Sequence, residues 1–249
     1  MALREIIPAA TASLTTRDGA QVTLATVLPM AWPGLHRTDG QLFIAAQTGG
    51  ASGDASRDLG AQLVATVALD AGMPLVHPPA VTADTPRLQD LLTDAPLEVT
   101  VHEGFDFWVD GQDLDAEAQA SLERANSTAV PTVKLAGTES AYWVAIGERT
   151  HIRHVLPDDE DEATNALARL WAAGTAGLGE GTRLLGAFRA GGLLVPVFDL
   201  DPDAEATAYE EPLVAWTGRY REALADTAPL TADERRAKSG VLSRQITLR

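Results

Sequence analysis

The segment Gly49-Gly50-Ala51-Ser52-Gly53-Asp54 separates an apolar run from a helical pattern. At such a junction, consecutive backbone N–H groups and the positive end of a helix dipole can hold a small anion. Gly49, Gly50, Ser52, Gly53 and Asp54 are therefore candidate ligand-binding residues. The lysine and Ser/Thr of a phosphate-binding P-loop are missing, as is the spacing of a dinucleotide fingerprint. An ordinary turn followed by an N-cap from Asp54 or Ser56 fits the same letters. A second cluster, Gly177-Leu178-Gly179-Glu180-Gly181, follows a helical pattern and precedes a strand, which is the reverse order and reads as a helix stop and linker.

The histidines are His36, His77, His102, His151 and His154, with no HExxH pattern among them. His151 and His154 stand three apart in a segment read as a strand, so they point to opposite faces and do not converge on one ion. No metal site and no cofactor are assigned. No cysteine is present, which removes disulfides, thiolate nucleophiles and Cys-based metal sites. Gly50-Ala51-Ser52-Gly53 continues with Asp54 where a nucleophile elbow needs glycine, and no triad can be drawn, so no catalytic residue is assigned. Carboxylate pairs such as Asp106 with Asp110 arise without catalysis in a chain holding 35 acidic residues. Trp108 falls beside Asp106 and Asp110 on the polar side of a strand pattern, and Trp32 lies between Pro29 and Pro33. Aromatic rings among carboxylates suit a protein contact, which makes Trp32, Asp106, Trp108 and Asp110 candidate partner-binding residues.

Several elements must carry these residues. Tyr209, Leu213, Trp216, Tyr220 and Leu224 recur at i, i+4, i+7, i+11 and i+15, the apolar stripe of a surface helix. Ala163, Leu167, Leu170 and Trp171 repeat the pattern, as do Leu59, Leu63 and Val67, and shorter helices are expected over 3–7 and 116–125. Acidic windows at 103–117, 158–162 and 199–211 precede helices and read first as capping. Strands are expected at 22–28, 41–47, 132–135, 141–146, 183–188 and 193–198, with hairpins joining 22–47 and 183–198. Leu97, Val99, Val101, Phe105, Phe107 and Val109 share odd positions, so 97–109 reads as one long strand bulged at Gly104.

These expectations combine into an α+β fold, with a mixed or mainly antiparallel sheet carrying packed helices. Two α-β-β-α halves, 1–95 and 158–229, would form a pseudo-repeat sharing one sheet that the segment 96–157 completes. A single globular unit is expected over 1–229, followed by a basic C-terminal tail over 230–249, where Arg235, Arg236, Lys238, Arg244 and Arg249 outnumber Asp233 and Glu234.

Over 249 residues, 45% hydrophobic and 22% charged content is that of a globular chain. A net charge of −16 repels nucleic-acid phosphates and anionic headgroups, which disfavours both as partners. No apolar run approaches the ~20 residues of a membrane helix, and the N-terminus has no signal pattern, so a cytoplasmic protein is expected.

The runs ALREIIPAAT (2–11), VTLATVLPMAWP (22–33), QTGGASGDASRDL (47–59), PLEVTVHEGFDFWVD (96–110) and GGLLVPVFDL (191–200) together resemble an uncharacterised family of actinobacterial cytosolic proteins, a domain of unknown function. The resemblance implies a basic N-terminal extension that this chain lacks, and nucleic acid would be a partner only through that arm. It supplies no catalytic residues. More distantly, Leu193 to Leu224 is similar to the domain of enhanced-serine-sensitivity proteins. The leading functional expectation is a non-catalytic protein-interaction or scaffold module that binds a protein partner or a basic segment. The alternative is an enzyme or sensor that binds a small anionic ligand at 49–54.

Overall fold

Short alternating segments build the first part of the chain. After one helical turn, α1 (Ala2–Glu5), the strand β1 (Ala10–Thr15) buries Ala10, Ala12 and Leu14 and turns Ser13 outward. It pairs antiparallel with β2 (Gln21–Ala25). The strands β3 (Gly34–His36) and β4 (Leu42–Ala45) form a hairpin that turns through Asp39-Gly40, where Gly40 has φ +87°. The 22–47 hairpin expected from sequence is corrected here, because β2 runs parallel to β4. The chain between them first crosses back through a 3-10 turn at Pro29–Ala31 and through β3, so β4 arrives in the direction of β2.

α2 (Ala55–Val67) follows, then β5 (Pro74–Leu75), α3 (Leu88–Leu91), β6 (Val99–Val101) and α4 (Ala116–Asn126). The sheet order is β5-β3-β4-β2-β1-β6. The long strand expected over 97–109 is also corrected: β6 ends at Val101, and Asp106–Trp108 is a 3-10 turn. At the break, a Cβ on Gly104 would stand 2.6 Å from Asn126 Oδ1, and that oxygen accepts the Phe105 N–H at 2.7 Å. The odd-numbered apolar residues thus split, with Val99 and Val101 on the strand and Phe105 and Phe107 in an aromatic cluster.

The computed structural model describes residues 1–48, 52–109 and 113–243. Its contacts divide into two units, Leu3–Ala129 and Val130–Arg249 with Met1–Ala2. The second unit holds β7 (Thr132–Lys134), β8 (Ala141–Ile146), β9 (Arg149–His154), α5 (Glu160–Ala172), β10 (Arg183–Ala190), β11 (Leu193–Asp199), α6 (Glu210–Ala225) and α7 (Ala232–Ser243). Its sheet is antiparallel throughout, in the order β10-β11-β9-β8-β7. The expected hairpin is present: Ala190 faces Leu193 across Gly191-Gly192, with φ +56° and +82°. Two consecutive positive φ values are what a two-residue turn of this hand requires, and glycine supplies them without strain.

One face of this sheet buries Ile152, Leu194 and Phe198 against Ala163, Ala166 and Leu167 of α5 and Leu213 and Trp216 of α6. Asp159 caps α5 by accepting from the N–H groups of Asp161 and Glu162, and Asp115 caps α4 through Ala118. The segment expected as a basic tail contains α7. Val241 of that helix joins the core, and Lys238 Nζ donates to Asn165 Oδ1 at 2.8 Å. The fold is α+β, with helices on mostly antiparallel sheets. The single shared sheet is replaced by two, because β6 joins the first sheet while β7, β8 and β9 join the second. The two halves also differ in order: four strands separate α1 from α2, whereas two separate α5 from α6.

Candidate functional site

Of the glycine-rich candidates, Gly49 and Gly50 lie outside the described residues, while Ser52, Gly53 and Asp54 lead into α2. The Ser52 N–H donates to Asp58 Oδ1 at 3.1 Å. Asp54 Oδ1 accepts from the N–H groups of Ser56 and Arg57 at 3.2 Å each, and Arg87 pairs with Oδ2 at 3.0 Å. These contacts, the backbone bond from Arg57 first, hold its carboxyl below the usual range. The helix terminus that would receive an anion is thus already occupied by a carboxylate of the chain itself.

The aromatic candidates Trp32 and Trp108 are half-buried and pack on neighbours in the first unit. Trp108 stacks on Phe105 with centroids 4.6 Å apart, and its indole N–H donates to the Val27 carbonyl at 2.9 Å. Trp32 packs on the cluster of Ala25, Leu28, Phe43 and Ala45. Asp106 is exposed and accepts from Asn126 Nδ2 at 3.2 Å, while Asp110 lies outside the described residues. The outward placement of Trp108 expected from sequence depends on a long strand over 97–109, which the 3-10 turn at Asp106–Trp108 interrupts. With 106–108 coiled as a 3-10 turn, the ring stacks on Phe105 and is half-buried.

The second unit contains a cleft of about 610 Å³. One wall is a face of α6, with Thr217, Tyr220, Arg221 and Leu224 at i, i+3, i+4 and i+7. The opposite walls are the β8 approach, 137–140, and the link from β9 to α5, 154–158. His154 closes β9 and is 6% exposed. Its ring meets Trp216 edge-on at 5.8 Å, and Trp216 in turn stacks on Tyr220 at 5.3 Å. The Trp216 indole N–H donates to the Ala176 carbonyl at 3.0 Å, which fixes this ladder of rings.

Burial pushes the His154 imidazole down to about 4, against the opposing pull of the Asp158 carboxylate, so the ring is neutral at pH 7. Its Nδ1 is buried and has no hydrogen-bond partner among the described residues; the same holds for Thr138 Oγ1 in the same lining. The Tyr220 hydroxyl donates to Asp158 Oδ2 at 2.8 Å. Burial, then that carboxylate, raises the phenol well above its ordinary value. His151 is placed on the opposite strand face, with Nε2 at 3.8 Å from Asp199, so the two histidines do not share a site.

Sequence patterning assigns none of His154, Asp158, Tyr220 and Arg221 to a site, and weighs His154 only as a metal ligand beside His151. Tyr220 was legible as part of a helix stripe and Asp158 as part of a capping run. Their meeting depends on β9 ending beside α6, which no local pattern encodes.

The fold and site define an α+β protein with a polar-floored cleft in its second unit. The chain belongs to a family described as "Family of unknown function (DUF5926)", which matches it over residues 1–249. No curated protein and no solved structure matches it. Among the described residues, no helix is long and apolar enough to cross a membrane.

Proposed function

We propose that this chain is a non-catalytic protein-interaction module and that the cleft of the second unit seats its partner. The observation carrying this is His154: a neutral imidazole in the cleft lining, nearly all buried, whose Nδ1 has no hydrogen-bond partner among the described residues. A buried polar atom left unpaired costs about 1–3 kcal/mol, a cost that an incoming donor relieves. Catalysis is less well supported. Nucleophilic catalysis would need a chain hydroxyl within hydrogen-bond reach of the imidazole, and Thr138 Oγ1 in the lining makes no such bond among the described residues while two other lining hydroxyls are engaged elsewhere. Tyr220 donates to Asp158, and Thr217 donates to the Leu213 carbonyl at 2.8 Å.

On this reading the module works in the cytoplasm of an actinobacterium, and its net charge of −16 disfavours nucleic acid as the partner. Thr217→Trp fills the cleft from the α6 wall, while Asp106→Asn alters an exposed carboxylate of the first unit. A protein partner retained by the wild-type chain from extracts of its own cells should be lost with Thr217→Trp and kept with Asp106→Asn. Retention by the filled variant, or loss with Asp106→Asn alone, would move the contact elsewhere.

A further inference from the structure

We infer that the cleft is a guanidinium subsite, in which an arginine side chain of a basic partner segment enters between Asp158 and His154. The inference rests on the interaction reading above and adds the chemistry of the partner. The floor offers mainly acceptors. Asp158 Oδ2 takes the Tyr220 hydroxyl, which leaves Oδ1 without a partner among the described residues, and the neutral His154 ring in the lining offers one acceptor nitrogen. An anion entering here would meet Asp158 first and Glu139 on the 137–140 wall. Arg221, the cation among the described lining residues, is exposed at the outer turn of α6.

A guanidinium suits this floor better than an ammonium. Its planar fork carries five donors, so one group can reach a carboxylate oxygen and a ring nitrogen together, and it is more weakly hydrated. The apolar lining of Leu156, Pro157, Leu193 and Leu224 would cover the methylene stem of an arginine. A volume of about 610 Å³ exceeds one side chain, so the flanking backbone of a peptide is accommodated as well. The net charge of −16 favours the approach of a basic segment.

The test uses the full chain and an acetylated, amidated pentapeptide, Gly-Leu-Arg-Leu-Gly, titrated by calorimetry with amide shifts followed by NMR. Matched peptides carry citrulline or lysine in place of arginine, and free agmatine is titrated separately. The arginine peptide should bind with shifts at 137–140 and 217–224, and the citrulline peptide should bind about tenfold or more weakly, the loss of a charge-assisted pair. Asp158→Asn should weaken the arginine peptide similarly with an unchanged circular dichroism spectrum, because the amide oxygen still accepts the Tyr220 hydroxyl. Equal binding of arginine and citrulline peptides at the cleft would overturn the guanidinium subsite and leave the interaction reading standing. Equal binding of the lysine peptide would overturn the fork, and agmatine binding as tightly as the peptide would overturn the protein segment as occupant. Arginine binding unchanged by Asp158→Asn would reduce the attraction to overall charge. No shift at the cleft with any peptide would overturn both proposals.

Discussion

Trp216 is fully buried and touches His154, Phe198 and Tyr220, so it holds one wall of the cleft and part of the core at once. Trp216→Ala should cost about 3–5 kcal/mol, read as a fall in the urea midpoint, because a large cavity opens and the Ala176 carbonyl loses its donor. Tyr220→Phe should cost only about 1 kcal/mol, since Asp158 is half-buried and can turn to water. At this scale the sequence was partly legible. The stripe of Tyr209, Leu213, Trp216, Tyr220 and Leu224 is a real buried face of α6 and the turn before it. A periodicity assigns a face, however, and does not say that Tyr220 ends in a hydroxyl bonded to Asp158 while Trp216 ends in the core.

Two helical glycines give opposite predictions at the scale of elements. Gly60 of α2 faces the backbone of Pro86, whose carbonyl oxygen a Cβ would strike, whereas Gly218 of α6 has nothing within 4 Å. Glycine costs about 1 kcal/mol relative to alanine inside a helix, so Gly218→Ala should raise the melting temperature. Gly60→Ala should lower it, with a cost on the order of 1–3 kcal/mol from overpacking against unyielding backbone. Elements were legible where one local signal decided them: the Gly191-Gly192 hairpin, and the capped helices α2, α4 and α5. They were not legible where pairing came from afar. The parallel partnership of β2 with β4 depends on how residues 26–41 cross the sheet, and the break after β6 depends on Asn126 reaching back to Phe105.

For the whole molecule, burial of histidines sets the response to acid. His154 falls to about 4 in the folded chain against an ordinary 6.5, and burial lowers His151 and His102 as well. Between those two values the unfolded chain takes up a proton that the folded chain refuses. Stability is therefore fully present above about pH 6.5 and falls as the pH drops toward 4, by up to about 3 kcal/mol for His154 alone. Urea midpoints at pH 7.5 and 4.5 should differ less in His154→Phe, which removes the titration while keeping a ring against Trp216. An equal loss in both would place the acid response in other groups. On the proposed reading, the protein meets its partner at the cleft of the second unit. The most direct test is amide-shift mapping of the intact chain with the partner it retains from its own cells. Shifts gathered at 137–140, 154–158 and 217–224 are predicted, and shifts centred on Ser52 to Asp54 or on Trp32 and Trp108, with the cleft unmoved, would contradict it.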